Sequence, residues 1–445
     1  MSAEVTIPQA GRPIPFLGHS LRLFRDPLGF VSSLPALGDL VRMRLGPLAV
    51  VVVCDPELTR QVLVDDRTFD KGGPFIHRAR EVTGDGLATC PHSAHRRQRR
   101  LCQTAFHRDR SPGHAEAMAA RWDAEVETWR DGEEIEVVHE ITSVVLRIAV
   151  ETMFSTRLGP PTAASIADDF RLLTAAVFRR MLTPAALTRL PTPGNRRYAR
   201  ARRHLRSTVR GIIADRRAED ADHGDLLASL LGAQDPDSAA EGHALSDAEL
   251  AEQVVTFLSA GTDTTASTLA WALHLLTRHP GIAERLRAEA DAVLAGGPVS
   301  AAHVPHLDLT SRVVNETLRL YPPGWLTTRR VTADTVLGGV GLPEGTTVAW
   351  SPYIIHRRPE LYADPERFDP DRWQDSPPGR SAYIPFGGGA RKCIAERFAF
   401  THVVLALAAI TSRWTTQPLP GAEVQPVIRG VLSPQDLRLR LRSRR

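Results

Sequence analysis

Lysine is almost missing from this chain. Of 55 Lys and Arg residues among 445, only Lys71 and Lys392 are lysines, and the formal net charge is just +4. A small surplus spread along the chain, with no nucleic-acid motif, argues against nucleic acid as a partner. Cysteine is scarce too. Cys54, Cys90, Cys102 and Cys393 form no C-x-x-C pair, and their spacing suits neither a zinc site nor a disulfide framework. Such usage fits a reducing compartment. Long apolar runs are also absent: Leu48–Cys54 and Val403–Ile410 fall far short of the ~18 residues a membrane helix needs. Met1–Gln9 is polar and does not read as a signal peptide. A cytoplasmic protein without a membrane anchor is expected.

What remains is globular in composition, 42% hydrophobic and 24% charged, with no repeat and no linker. We expect one domain, residues 1–445, large enough to enclose a bulky cofactor. Leu40–Leu45 and the β-branched run Leu48–Cys54 predict a hairpin turned at Gly46-Pro47. Ala115–Trp129, Val138–Phe154 and Arg196–Arg217 carry apolar residues at helical spacing. Asp247–His279 predicts the longest helix, capped by Ser246 with Glu249 three residues on and stopped by Pro280. It is apolar almost all round, so it belongs in the core. Its middle, Ala260-Gly261-Thr262-Asp263-Thr264-Thr265, is a poor helix centre by propensity. After Pro323 come short strands, such as Val336–Leu342 and Thr346–Ser351, then a proline-rich stretch and a last helix over about Ile394–Trp414. The fold class is mainly α with a minor β part.

The segment Phe386-Gly387-Gly388-Gly389-Ala390-Arg391-Lys392-Cys393-Ile394-Ala395 leads a glycine-rich loop into that last helix, with the cysteine at its start. A helix N-terminus and a neighbouring arginine favour a thiolate suited to binding a metal. A lone cysteine is more often buried and inert, but Phe-x-x-Gly-x-Arg-x-Cys fixes four positions together. It resembles the haem-binding signature of the cytochrome P450 family. The resemblance implies that chain's fold, a helical domain with small sheets enclosing haem b, and makes Cys393 the axial iron ligand. Ala395 stands where the family more often has glycine.

Three further segments resemble that family. Glu316 and Arg319 match its Glu-x-x-Arg pair, and Arg372 in Pro370-Asp371-Arg372-Trp373 matches the arginine that completes a buried triad under the cysteine loop. By itself such a pair is usually a surface salt bridge. Asp263-Thr264 matches the acid–alcohol pair over the haem, in which the hydroxyl orients dioxygen and the acid relays protons; by itself the threonine would simply bond a carbonyl one turn back. His95 and Arg99 match a His-x-x-x-Arg that binds haem propionates, and Arg329 and Arg391 match further propionate arginines. The leftover Arg96, Arg97 and Arg100 suit a basic surface for an acidic redox partner, or a merely solvated face.

The implied reaction is monooxygenation of a lipophilic small molecule by O₂. Electrons would come from a ferredoxin and a ferredoxin reductase using NADPH or NADH, since no redox domain is attached. Phe75, Leu87, Phe257, Ala260, Trp325 and Leu326 are placed by the resemblance at the substrate pocket, though each could be ordinary core. Phe178–Arg197 and Trp325-Leu326-Thr327-Thr328-Arg329-Arg330 look like bacterial terpene-hydroxylating members of the pentalenene oxygenase and albaflavenone synthase type. A terpene is therefore expected, with a macrolide, polyketide or fatty-acid substrate as the alternative. A peroxide-driven peroxygenase and a non-catalytic haem sensor are rival readings; neither explains an acid–alcohol pair.

Overall fold

Alternation over Leu40–Leu45 and the branched run after Gly46-Pro47 close into the expected hairpin in the computed structural model. That model describes residues 6–106, 111–154, 160–183, 185–218, 225–235, 244–375, 378–421 and 423–444, so the first five residues of the polar Met1–Gln9 segment lie outside the described residues. Strands Leu40–Leu45 and Leu48–Val53 are antiparallel, with Leu45 opposite Leu48. Gly46 takes φ 59°, a turn geometry cheap only for glycine. Thr347–Trp350 adds in parallel to Leu48–Val53, Thr327–Val331 follows antiparallel, and Phe69–Lys71 forms the far edge. The register of this five-stranded sheet sets Lys71 directly opposite Arg329.

Helices supply most of the rest, as the periodicities predict: Ser111–Thr128, Val137–Phe154 and Pro193–Ala218. The central helix spans Asp247–Arg278 and carries the capping box of Ser246 and Glu249. It ends before Pro280, which opens the next helix, Pro280–Leu294. The low-propensity middle does not break it. Thr262 and Thr264 return their hydroxyls to the carbonyls of Leu258 and Ala260, at 2.7 and 2.6 Å, so the polar groups are satisfied within the helix.

Leu269 and Leu273 of the central helix pack with Ile141, Val145, Val404 and Leu407 in the largest apolar cluster. Burying each such side chain stabilises by roughly 1.5–3 kcal/mol. Ser267 and Trp271 donate to the carbonyl of Leu432, pinning the hairpin Gln425–Arg429/Val431–Gln435 to the same helix. The last helix is Glu396–Arg413. The central helix, the segment before the last helix and the sheet edge thus face a common interior. No helix among the described residues is long and apolar enough to cross a membrane.

Candidate active site

A cavity of ≈ 350 Å³ occupies that interior, and Cys393 lies in its wall. The cysteine loop needs its glycines at specific points. Gly387 and Gly389 have φ 73° and 64°, and a Cβ on Gly389 would sit 2.1 Å from the Leu63 carbonyl oxygen. The Cys393 N–H donates to Phe386 O at 3.0 Å and closes the loop. Cys393 precedes the helix rather than opening it, because Ala395 is the N-cap. Ala395 adopts φ −97°, which alanine tolerates without strain.

The sequence expectation of a lowered thiol pKa is overturned. Burial pushes the Cys393 thiol above its ordinary value; the Ala395 N–H bonded to the sulfur opposes this, Glu396 adds to it, and Arg99 and Lys392 oppose it. The sulfur surface is nonetheless open to the cavity. Arg391, expected beside the sulfur, is turned into a strut. Its guanidinium donates to Asp66 and Asp70 at 2.9 Å each and to Cys90 O at 2.9 Å. A buried thiol of this kind loses its proton outright when it coordinates a metal. Among the described residues no group of three His, Cys, Asp or Glu gathers to hold a metal on its own.

Every charged side chain lining the cavity is basic: Lys71, Arg99, Arg329, Arg391 and Lys392, with His95 beside them. Like charges directly opposite across two strands repel, and Lys71 faces Arg329. Burial, then Arg329 and Arg391, drives the Lys71 pKa well down. Burial, then Arg391, lowers Arg329 to about 10. Burial, then Arg391 and Arg99, lowers His95 to about 3. Arg329 Nε and Nη1 are buried and have no hydrogen-bond partner among the described residues. Such a cradle is costly until carboxylates enter it. A thiol and the unpartnered, buried Arg329 guanidinium in the lining of one cavity, with other basic side chains beside them, fit haem b and its two propionates. Lys71 escaped the sequence reading. Its rarity was a signal, but its partner is a strand 258 positions away in register.

The triad is assembled as expected. Glu316 is fully buried and accepts from Arg319 Nε and Nη2 at 2.8 and 2.9 Å, and from Arg372 Nε at 3.0 Å. The Trp373 indole and the Asp369 N–H complete its shell at 2.9 and 3.0 Å. Full hydrogen bonding is what makes such a buried charge tolerable.

Thr264 lines the cavity, but Asp263 does not. Asp263 opens instead on a second, polar cavity of ≈ 690 Å³ on another side of the central helix, with Arg171, Thr174, Arg200 and Arg429 in its wall. Burial pushes its pKa up to about 6; a hydrogen bond from Thr174 and the charge of Arg171 oppose the rise.

Phe75, Leu87, Phe257, Ala260 and Leu326 line the first cavity, joined by Phe106 and Phe398, which the sequence reading missed. Trp325 does not line it. It is buried in another cluster with its ring 5.9 Å from Phe178, and its carbonyl accepts from Ser351 at 2.5 Å. Leu326 belongs to the same cluster but also reaches the cavity wall. The basic run also differs from expectation. Arg97 is paired with Glu249 at 2.6 Å and Arg100 with Asp235 at 2.9 Å, leaving Arg96 the exposed one of the three.

Comparisons with known proteins point the same way. The family model described as Cytochrome P450 matches residues 8–439. The chain is 46% identical over 435 residues to pentalenene oxygenase of Streptomyces avermitilis, covering 97% of this chain and 96% of that one. It is 44% identical over 418 residues to cyclooctatin synthase of Streptomyces melanosporofaciens (93% and 90% covered). Against cyclooctat-9-en-7-ol 5-monooxygenase of the same organism, identity is 43% over 412 residues, with 92% and 89% covered. With thiol, cationic cradle and buried triad each in place, this chain belongs to the cytochrome P450 family.

Proposed function

We propose that this protein, acting as a single domain in the cytoplasm, hydroxylates or otherwise oxidises a terpene or a related lipophilic natural-product intermediate. Its electrons come from a ferredoxin and an NADPH- or NADH-dependent reductase. The enzyme class comes with the family: a cytochrome P450 monooxygenase using haem b, fed by an external electron donor and acting on a small lipophilic molecule. Bound haem b supplies the oxygen chemistry, in which one atom of O₂ enters the substrate and the other leaves as water.

Each residue then has a task. Cys393 would hold the iron. Lys71, Arg329, His95 and Arg99 would take the propionates, while Arg391 braces the wall against Asp66 and Asp70. Thr264 orients dioxygen with its Oγ1. Asp263, reached from the polar cavity, loads protons from the other side of the helix; a carboxyl near pH 6 suits both taking up and releasing a proton at neutral pH. Phe75, Leu87, Phe257, Ala260 and Leu326 shape the substrate space and keep water out.

The observation that carries the reading is the aromatic and aliphatic part of the cavity lining, Phe75, Leu87, Phe257, Ala260 and Leu326, in a cavity with no acidic group in its wall. Such a surface favours a hydrocarbon-like ligand. Pentalenene and cyclooctat-9-en-7-ol in the names of the relatives support a terpene over a macrolide or fatty acid. Four cysteines without a disulfide fit a reducing compartment. The test is a spectral titration of the haem protein with terpenes, macrolides and fatty acids. A low-to-high-spin shift with a terpene, followed by turnover with ferredoxin and NADPH exceeding that with peroxide, is expected. A shift confined to macrolides or fatty acids would refute the terpene assignment.

A further inference from the structure

Among the described residues, no hydrogen bond of Glu316, Arg319 or Arg372 reaches the cysteine loop. Beyond Glu316, Arg319 donates to the carbonyls of His356, Pro365 and Arg367, and Arg372 to those of Ala363 and Arg367. We propose that His356 is the positioning residue that links this buried triad to the cysteine loop.

His356 is fully buried. Its Nε2 accepts the Ile384 N–H at 2.9 Å, and its Nδ1 lies 3.1 Å from Arg319 O. A backbone N–H can only donate, so the proton sits on Nδ1 and is donated to Arg319. One neutral tautomer satisfies both partners. Burial, the largest cause, holds the ring neutral. Arg319 Nη1 returns a bond to His356 O at 2.9 Å, so the histidine is held by its own backbone as well. From Ile384 the chain of bonds continues without a gap. Gly387 N–H donates to Ile384 O at 3.0 Å, and Cys393 N–H donates to Phe386 O at 3.0 Å. The Tyr383 ring stacks 5.4 Å from the imidazole, and its hydroxyl reaches Asn315 on the triad's helix at 3.0 Å, which fixes the ring plane.

Loss of the imidazole therefore leaves a buried N–H unpaired one turn before the loop, and the loop is what aims the sulfur. This inference rests on the haem-thiolate reading. Haem-loaded protein is reduced under carbon monoxide, and the decay of the thiolate-type Soret band to the thiol-type band is timed. In His356→Leu the decay is expected to quicken roughly tenfold. In His356→Gln, whose carbonyl still accepts from Ile384, it stays within about threefold of the parent. Val126→Ala, a core truncation at a fully buried position away from the loop, lowers the melting temperature without quickening the decay. Parental decay in His356→Leu, no recovery in His356→Gln, or equal quickening in Val126→Ala overturns the proposal. A parent protein with no thiolate-type band overturns the haem-thiolate reading as well, so the two failures are distinct.

Discussion

Asp263 and Thr264 are neighbours in the chain but open on different cavities. Thr264 lines the space beside Cys393, with its Oγ1 2.6 Å from Ala260 O. Asp263 lies in the wall of the polar cavity, bonded to Thr174. A helix turns about 100° per residue, so adjacent residues open on two compartments; in the function proposed above, one would hold the reaction and the other would supply protons. Thr264→Ala removes the last hydroxyl of the relay. Oxygen and NADPH should still be consumed while hydrogen peroxide replaces product, with coupling lowered about tenfold or more. Measured peroxide and product per NADPH check this; unchanged coupling would remove Thr264 from the mechanism.

Asp263→Asn carries two opposite expectations. Turnover should fall about 100-fold, since no group remains to load protons. Stability should rise. Burial raises the folded pKa to about 6, above the unfolded value, so the neutral acid is favoured in the fold. The penalty for charging it is absent below about pH 4, grows as pH rises, and is complete above about pH 6. The variant should therefore be more stable than the parent at about pH 8, by roughly 1–3 kcal/mol, with the difference gone near pH 4. Denaturant melts at both pH values decide it.

Lys71 and Arg329 repel until carboxylates separate them. Lys71→Met and Arg329→Met should each speed haem loss by about 10- to 100-fold, the worth of a charge-assisted hydrogen bond. Without haem the sign reverses, and Lys71→Met should stabilise the empty protein. Arg391→Met should instead destabilise both forms, because Asp66 and Asp70 lose their shared partner. Haem transfer to a scavenger, with melts of the loaded and empty forms, separates these roles.

Trp325 and Leu326 make a sharper pair. Leu326→Ala enlarges the cavity wall and should weaken terpene binding with a modest loss of stability. Trp325→Ala should cost about 3–5 kcal/mol of stability and leave binding nearly unchanged, since it empties core beside Phe178. Spectral titration and denaturant melts on each variant test the assignment.

That pair also marks where sequence reading stops. Cys393, the central helix, its cap and the Glu316–Arg319 pair were legible because each is local: a fixed spacing, an N-cap, a turn of helix. The facing of Trp325 was not, because it is set by packing against Phe178, far away in the chain. Lys71 was not, because its meaning comes from a strand register that brings it opposite Arg329. Nor was the orientation of Arg391, which depends on Asp66 and Asp70 arriving from a distant turn and the sheet edge that follows it. The raised thiol pKa belongs to the same class. Local dipole and charge pointed down, while burial by the whole fold pushed up and won.

His402 adds an acid sensitivity independent of catalysis. It lies on the last helix, fully surrounded, with its ring 6.1 Å from Trp122 and its Nε2 without a partner among the described residues. Burial lowers its pKa to about 4. Unfolded histidine titrates near ~6.5, so the unfolded chain binds a proton first as pH falls. The stability this neutral ring preserves is fully present above ~6.5 and is lost progressively down to about pH 4, up to about 3 kcal/mol. His356, at about 3, steepens the same slope. His402→Phe keeps the ring volume and removes one titration, so the melting temperature should fall less between about pH 7 and 4.5 than in the parent, while neutral-pH stability changes little. An unchanged pH slope in that variant would mean the ring takes up its proton in the fold as readily as in the unfolded chain.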